Sequence, residues 1–575
     1  MPAPSFLAGW SNADLFSVYL ACALALLVVA VRRLQAAPWI VGAATFLPLA
    51  IVAVYSTQFD LVGWHGFMHG SPILRILDGG PLPPEDPLFA GAALRYPWVE
   101  HWLIASLARL TDLNTHFMTI GIEVGLFACF LATGAWLASM VTRDRTVIAL
   151  SVLLTGFGVS VFHGGLLQDA LLRTFPRLSM ETRVVPLDKF ASITGMPLGY
   201  LAMAVSAAAA VRLACGRDST SRMAALVAAC TLTAALIHPL SWVGVITFVA
   251  VVVMVLVASR TREDLTRVMW LAAAVGLPSL VALPYLRSIG ESQSSDGWTG
   301  LTSPSWLFFA KAEDLAIFLA PLLVVAWVSR ARLAAMLEEG NRALGILMLA
   351  VAMMAAAYLA VRFPGRNEYK FLLFGAPAAA VILALGPRDL LDRRPVVGLG
   401  LVALLLVPGS HDLGVRPWFT VTDPSRADGL YLRALDPAAD ELFQWIANQT
   451  PTDSVFLAPD LRVPPLGRRG LYIAVDAPWR GRDGWGLHRN QLLQWHVRRP
   501  DAVMYRRQHL ATLVLDGNWS VEPTDRVIAQ IRADVPGRPL FVHMTNPDAA
   551  ARLDRTPGFW LRFRNGAGSV YQVGG

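Results

Sequence analysis

The chain has 575 residues, of which 55% are hydrophobic and only 15% charged, and its mean hydropathy is +0.50. A soluble chain of this length carries about a quarter of its residues charged, so lipid is the solvent for much of this one. The formal charge of +7 is spread as short arginine groups between apolar segments, with no basic cluster interleaved with aromatics, which argues against nucleic acid as a partner.

A helix needs roughly 20 apolar residues to cross the hydrocarbon core. Twelve segments read as spans, near 14–31, 38–56, 117–141, 147–165, 195–213, 223–239, 242–259, 268–286, 313–329, 343–361, 370–386 and 395–409. The sixth and seventh are separated only by "HPLS", a tight hairpin. Nothing at the N-terminus reads as a cleavable signal, since a charged start and a small-residue cleavage site are missing. Cys22, Cys129, Cys215 and Cys230 lie in or beside apolar segments without metal-ligand spacing, so neither a disulfide framework nor a zinc site is expected.

Arginine placement orients the set. "RRLQAAP", "TRDRT", "RLACGRDSTSR", "RTREDLTR", "RARLAAMLEEGNR" and "RRP" are alternate loops, and short basic loops stay in the cytoplasm. The other side receives the long connections 57–116, 166–194, 287–312 and 362–369, with both termini. The three lysines, Lys189, Lys311 and Lys370, all fall in or beside these outer loops, where the positive-inside tendency disfavours them. Coding bias toward arginine accounts for their scarcity; their placement suits point charges for an anionic ligand at the outer face.

Loop 57–116 is too long for a mere connector. Its segments 64–78 and 98–112 have apolar faces yet carry charge, as helices lying in the interface do. Between them "DGGPLPPEDPLFAGAALRYPWVEH" runs as a Gly/Pro-rich irregular path, tolerated at the membrane surface where it lines a wet cavity.

From about 410 the apolar runs shorten and charge rises. The pieces "SVFLAP", "LYIAVD", "ATLVLDG" and "PLFVHMT" read as strands, alternating with the helical "AADELFQWIANQT" and "EPTDRVIAQIRADV", which predicts an α/β layer domain over 410–575. Trp479 and Trp485 in "APWRGRDGWGLH" are either a sugar-stacking surface or core and interface anchors.

The stretch "FDLVGWHGFMHGSPILRILDGGPLPPEDPLFAGAALRYPWVEHWLIASL", with "RFPGRNEYKFLLF" and "LFQWIANQTPTDSVFLAP", resembles the polytopic GT-C superfamily of glycosyltransferases. The likeness is a span followed by an acidic residue, two interfacial helices, many further spans and an outer soluble domain. It implies a GT-C-like membrane domain over 1–409, in a bacterial inner membrane, with the 410–575 domain extracytoplasmic. It further implies transfer of a sugar, hexosyl or pentosyl, from a polyprenyl phosphate donor to an envelope glycan, lipid or protein acceptor. In such enzymes a base deprotonates the acceptor hydroxyl, which attacks the anomeric carbon with inversion. Asp60 is the best-placed base, or it is an N-cap for the helix starting near Leu61.

The same resemblance gives the other polar residues of the loop alternative acid/base or acceptor-binding roles. His65 and His69 share a helix face and are metal or acceptor ligands or merely hydrogen-bonded. Glu85 and Asp86 are an alternative base or solvated turn residues, and Glu100 and His101 open the second interfacial helix, where a carboxylate also suits the dipole. Lys189, Arg366 and Lys370 are the expected phosphate cations, with Arg362, Arg177 and Arg183 behind them. Adjacent Asp188 and Glu368 offer simple ion pairs instead. His238 lines the cavity or satisfies a helix end. In members with a paired acidic motif and its divalent metal an acidic residue follows the first closely; here Leu61 and Val62 follow Asp60. No other cofactor is implied. The rival classes are a lipid-linked saccharide flippase and a non-catalytic envelope scaffold. A transporter generally needs ionisable groups near the midplane, and most spans here lack them, Glu123 being the main exception.

Overall fold

Long apolar runs free of breakers become helices, and the polar residues between them mark the ends. The computed structural model describes residues 69–94, 96–112, 115–158, 190, 196–290, 300–301, 305–406, 437–474, 502–517, 519 and 522–574. Asp60, His65, Lys189, Trp479, Trp485 and the expected spans 14–31 and 38–56 lie outside the described residues.

Two short helices, α1 (Ser71–Leu77) and α2 (Val99–Thr111), fall in the first loop. The bundle follows: α3 (Thr115–Val141), α4 (Arg145–Phe157), α5 (Met196–Ala214), α6 (Thr220–Ile237), α7 (Pro239–Ser259) and α8 (Arg262–Gly290), a short β1 (Gly300–Leu301), then α9 (Ser305–Val328), α10 (Arg330–Glu338) and α11 (Arg342–Ala360). Strand β2 (Val361–Arg362), paired with β1, leads through a 3-10 turn (Pro364–Tyr369) into α12 (Lys370–Arg393) and α13 (Pro395–Leu406). Seven helices among the described residues are long and apolar enough to cross a membrane. The chain is a polytopic α-helical membrane protein. Near its end α9 breaks into α10 with a 78° bend.

Residue size decides which helix is central. The apolar window of α12 is 89% buried and that of α8 only 17%, so α12 is the hub and α8 faces lipid. Without a hydrophobic drive between helices in lipid, small residues win the interior because they allow close approach. A Cβ at Gly244 of α7 would stand 2.7 Å from the Phe374 ring of α12.

One end of the bundle is laced by arginine–carboxylate contacts. Asp264 accepts from Arg267 (2.7 Å) and from both terminal nitrogens of Arg342 (3.0 Å each). Asp144 caps α4 through the Thr146 amide (2.9 Å) and accepts from Arg388 (2.7 Å). These residues come from the loops read as basic and cytoplasmic. The first loop and the C-terminal residues gather at the other end.

The C-terminal residues form α14 (Pro437–Gln449), β3 (Val455–Leu457), α15 (Val463–Leu466), β4 (Gly470–Leu471), α16 (Ala502–Asp516), α17 (Thr524–Asp534), β5 (Leu540–Met544), α18 (Pro547–Leu553), β6 (Phe559–Asn565) and β7 (Gly568–Val573). Their sheet runs β4-β3-β5-β7-β6, with β3 parallel to β4 and β5, and β7 antiparallel to β5 and β6. The piece "ATLVLDG", read as a strand, is instead the end of α16. Met504, Arg507, Leu510, Ala511, Leu513 and Val514 are buried on one helical face, and that 3.6-residue period outweighs the strand preference of Thr512 and Val514.

The free edge of β4 is covered by the first loop. The Leu471 amide donates to Pro87 O (2.8 Å), the Ala90 amide to Leu471 O (2.8 Å) and the Ala474 amide to Leu88 O (3.0 Å). Leu88, Phe89 and Ala90 are buried in the same core as Phe456, Tyr472 and Phe541, so this core draws on residues from both sides of position 410. Covering the edge satisfies its backbone groups and removes a template for aggregation.

Candidate active site at the loop face of the bundle

The loop leaves the sheet at Leu94, and its next residues turn back to the bundle. Tyr96 packs partly on the C-terminal core and meets His69 edge-on, with centroids 5.5 Å apart. His69 stacks on His101 at 5.1 Å, and His69 Nδ1 shares a hydrogen bond with His101 Nε2 at 2.8 Å. His65, expected on one helix face with His69, lies outside the described residues; the histidine that meets His69 is His101, on α2.

Glu100 sits in the first turn of α2, a helix too short to span, and is only 7% exposed. Among the described residues its carboxyl has no hydrogen-bond partner, and burial pushes its pKa up to about 8. At neutral pH it is a protonated acid, able to donate. The Tyr96 phenol is also held well up, first by burial and then by Glu100, Tyr285 and Tyr369 nearby. Tyr285, at the loop end of α8, accepts the Trp98 amide (3.2 Å) and so fixes the start of α2 on the bundle.

Tyr369 ends the 3-10 turn and Lys370 begins α12. Lys370 Nζ lies 3.3 Å from His238 Nε2. His238 is the N-cap of α7, its Nδ1 accepting the Ser241 amide at 3.1 Å. Nδ1 also lies 2.8 Å from Ser241 Oγ, so both Ser241 groups hold the ring in place. The ammonium and Nε2 thus stand in contact where α12 starts and α7 begins. Close packing sets the position: a Cβ at Gly199 would fall 2.5 Å from the Cβ of His238, so only glycine lets α5 approach so near.

Lys311 is not in this group. It pairs with Glu368 at 2.9 Å, both side chains 4% exposed, and donates to Val361 O (2.7 Å) and Tyr358 O (3.2 Å). Glu368 also accepts the Phe363 amide (3.0 Å), so this pair shapes the turn that presents Tyr369 and Lys370. Arg366 is in the same turn, and Arg362 in the adjoining β2.

Glu85 and Asp86 sit apart from the histidines. Glu85 accepts from Arg75, Arg538 and the Gly91 amide (2.6 Å); burial opposes its ionisation, but these donors outweigh that and hold the carboxyl below its usual range. Asp86 is fully buried, its Oδ1 accepting the Leu88 amide at 2.8 Å. Glu123 is buried near the start of the apolar stretch of α3. Among the described residues no group of three or more His, Cys, Asp or Glu could hold a metal ion.

Glu100, His101, Tyr285 and Tyr369 are thus brought near Tyr96, and Tyr369 is followed by Lys370, which meets His238. None of the three tyrosines was assigned a site role from the sequence. Two carried a signal: Tyr96 precedes the proline that opens α2, and Tyr369 precedes Lys370.

No protein-family model and no curated protein matches the chain. Among solved structures it is similar to the arabinofuranosyltransferase AftD from Mycobacteria, with a TM-score of 0.52 and 15% identity over 93% of this chain and 40% of that one. It is also similar to apo ArnT from Cupriavidus metallidurans, with a TM-score of 0.50 and 12% identity over 92% of this chain and 97% of that one. The fold is that of the GT-C glycosyltransferases. The chain spans about 40% of the length of AftD but nearly all of ArnT. At these identities the likeness concerns the GT-C fold and leaves the chemistry to the residues.

Proposed function

We propose that the protein is a GT-C glycosyltransferase of a bacterial inner membrane, moving a sugar from a polyprenyl phosphate donor to an envelope glycan, lipid or protein acceptor. The single observation that carries this reading is the Lys370–His238 contact, which holds a cation next to Tyr369, the residue that approaches Tyr96. A phosphate there would accept from the ammonium, and its negative charge grows as the glycosidic bond breaks, so the cation stabilises the transition state more than the ground state. Lys189 and Arg366 are proposed as further cations for the same phosphate. That AftD is an arabinofuranosyltransferase supports glycosyl transfer as the reaction class.

The Asp60 carboxylate takes the proton of the acceptor hydroxyl, and the acceptor oxygen attacks the anomeric carbon from the face opposite the phosphate. The bond from that carbon to the phosphate oxygen breaks, and polyprenyl phosphate leaves with the electron pair. Glu100, protonated at neutral pH, holds a substrate oxygen by donating to it, and His101 orients beside it. The arginine-laced end of the bundle is the cytoplasmic one on this reading, which puts the loop, the site and the C-terminal sheet outside.

Asp60→Asn tests the reading in purified protein supplied with a synthetic polyprenyl-phosphate sugar. Transfer should fall by about 10²–10⁴-fold, the usual worth of a general base, while donor binding persists. A flippase or a scaffold would be indifferent to the change. Undiminished transfer would strip Asp60 of its role.

A further inference from the structure

Glu85 precedes Tyr96 in the same loop but is bound to the C-terminal sheet. Its carboxylate gathers three donors: Arg75 of α1, the Gly91 amide and Arg538, the last from the turn entering β5. Both arginines are themselves fixed, Arg538 by Asp453 O (2.7 Å) and Arg75 by Thr452 O (2.6 Å). Beyond Glu85 the chain stays on the sheet. Residues 87–90 pair with β4, and Arg507 lies 4.4 Å above the Phe89 ring while donating to Ala90 O at 2.7 Å. The loop then closes on itself through the Asp86 amide to Ala92 O (2.8 Å) and the Leu94 amide to Pro84 O (2.7 Å), with Leu94 buried. Tyr96 and α2 follow at once. The backbone entering the site therefore leaves a clamp whose far jaw is the C-terminal sheet.

We infer that Glu85 is a positioning residue: through its ion pair with Arg538, the C-terminal sheet sets where Tyr96 and Glu100 stand at the bundle face. Its kinetic consequence rests on the proposed function; its positional content does not. Lys370 and His238 belong to α12 and α7, which the clamp does not hold, so loosening it should disturb the loop side of the site and spare the phosphate side. Reaction geometry then suffers more than donor binding.

The test uses the full chain in detergent and three variants, Glu85→Gln, Arg538→Gln and the charge-keeping Arg538→Lys. Amide hydrogen exchange should rise by about tenfold over Tyr96–His101 in the two Gln variants and stay near wild type in Arg538→Lys, with the β5–β7 ladder still protected. In donor transfer, kcat should drop by about tenfold in the Gln variants while donor KM changes by less than about twofold. Unaltered exchange over Tyr96–His101 overturns the inference, and so does raised exchange with an unaltered kcat. Loss of protection throughout the sheet in both Gln variants would make the pair a general brace and equally overturn it. If the wild-type chain transfers no sugar, the exchange measurement alone decides this inference, and the functional reading fails separately.

Discussion

Lys370 Nζ stands 3.3 Å from His238 Nε2, and His238 is held there because its other ring nitrogen already accepts the Ser241 amide. The contact joins the start of α12 to the N-cap of α7. On the proposed function, the ammonium held here meets the donor phosphate.

Removing the ammonium should therefore be felt in turnover. Lys370→Met is expected to slow transfer by about 10²–10³-fold, the usual worth of one preorganised donor. Lys370→Arg should retain more, since the charge remains but the point geometry does not. Initial rates over a range of donor concentrations, with polyprenyl phosphate binding measured in parallel, decide it. Unchanged kcat and KM would mean that the pair never meets the phosphate.

Glu100 predicts an unusual pH dependence. Burial lifts its folded pKa to about 8, whereas the unfolded chain releases that proton near the ordinary 4.5. Between those values the native state binds more protons, so this group's contribution to stability falls as pH rises from 4.5 to about 8 and is level above. Glu100→Gln removes the loss. Its Tm gain over wild type should be small near about pH 5, grow up to about pH 8 and then stop growing, which thermal unfolding across that range reads directly. A Tm difference independent of pH would show that the carboxyl is ionised in the fold.

The Lys311–Glu368 pair should behave as a buried ion pair, because both side chains are 4% exposed. Lys311→Met leaves a carboxylate uncompensated and should cost about 3–5 kcal/mol, whereas adding Glu368→Gln should recover much of it. Thermal unfolding of the single and double variants checks this. A double variant no better than Lys311→Met would locate the cost in the two lost carbonyl contacts at Tyr358 and Val361.

Much of the bundle was legible because its signals are local. Apolar runs of spanning length, the proline after His238 and the arginine-rich ends each act within one or two turns, and the described helices overlap the expected spans, although α8 and α12 run past the expected 268–286 and 370–386 and α9 starts ahead of the expected 313. The tail was legible where burial and period agree, as in β3, β5, α14 and α17. It misled at "ATLVLDG", where Thr512 and Val514 sit inside the longer helical period of α16, and β6 went unread because exposed Trp560, Leu561 and Arg562 break its alternation.

By itself the sequence determined that the chain lives in lipid, which helix ends carry charge, and which residue types collect near the loop face: Glu100, His101, His238 and Lys370. Only the tertiary structure decided the partnerships. Glu85 and Arg538, 453 positions apart, are joined because residues 87–90 complete the edge of a distant sheet, and Glu368 meets Lys311 of α9, which also reaches Val361 O of β2. Local sequence carries no trace of such contacts: an ion pair needs only opposite charge at short range, and packing of whole elements alone determines which charges come within range.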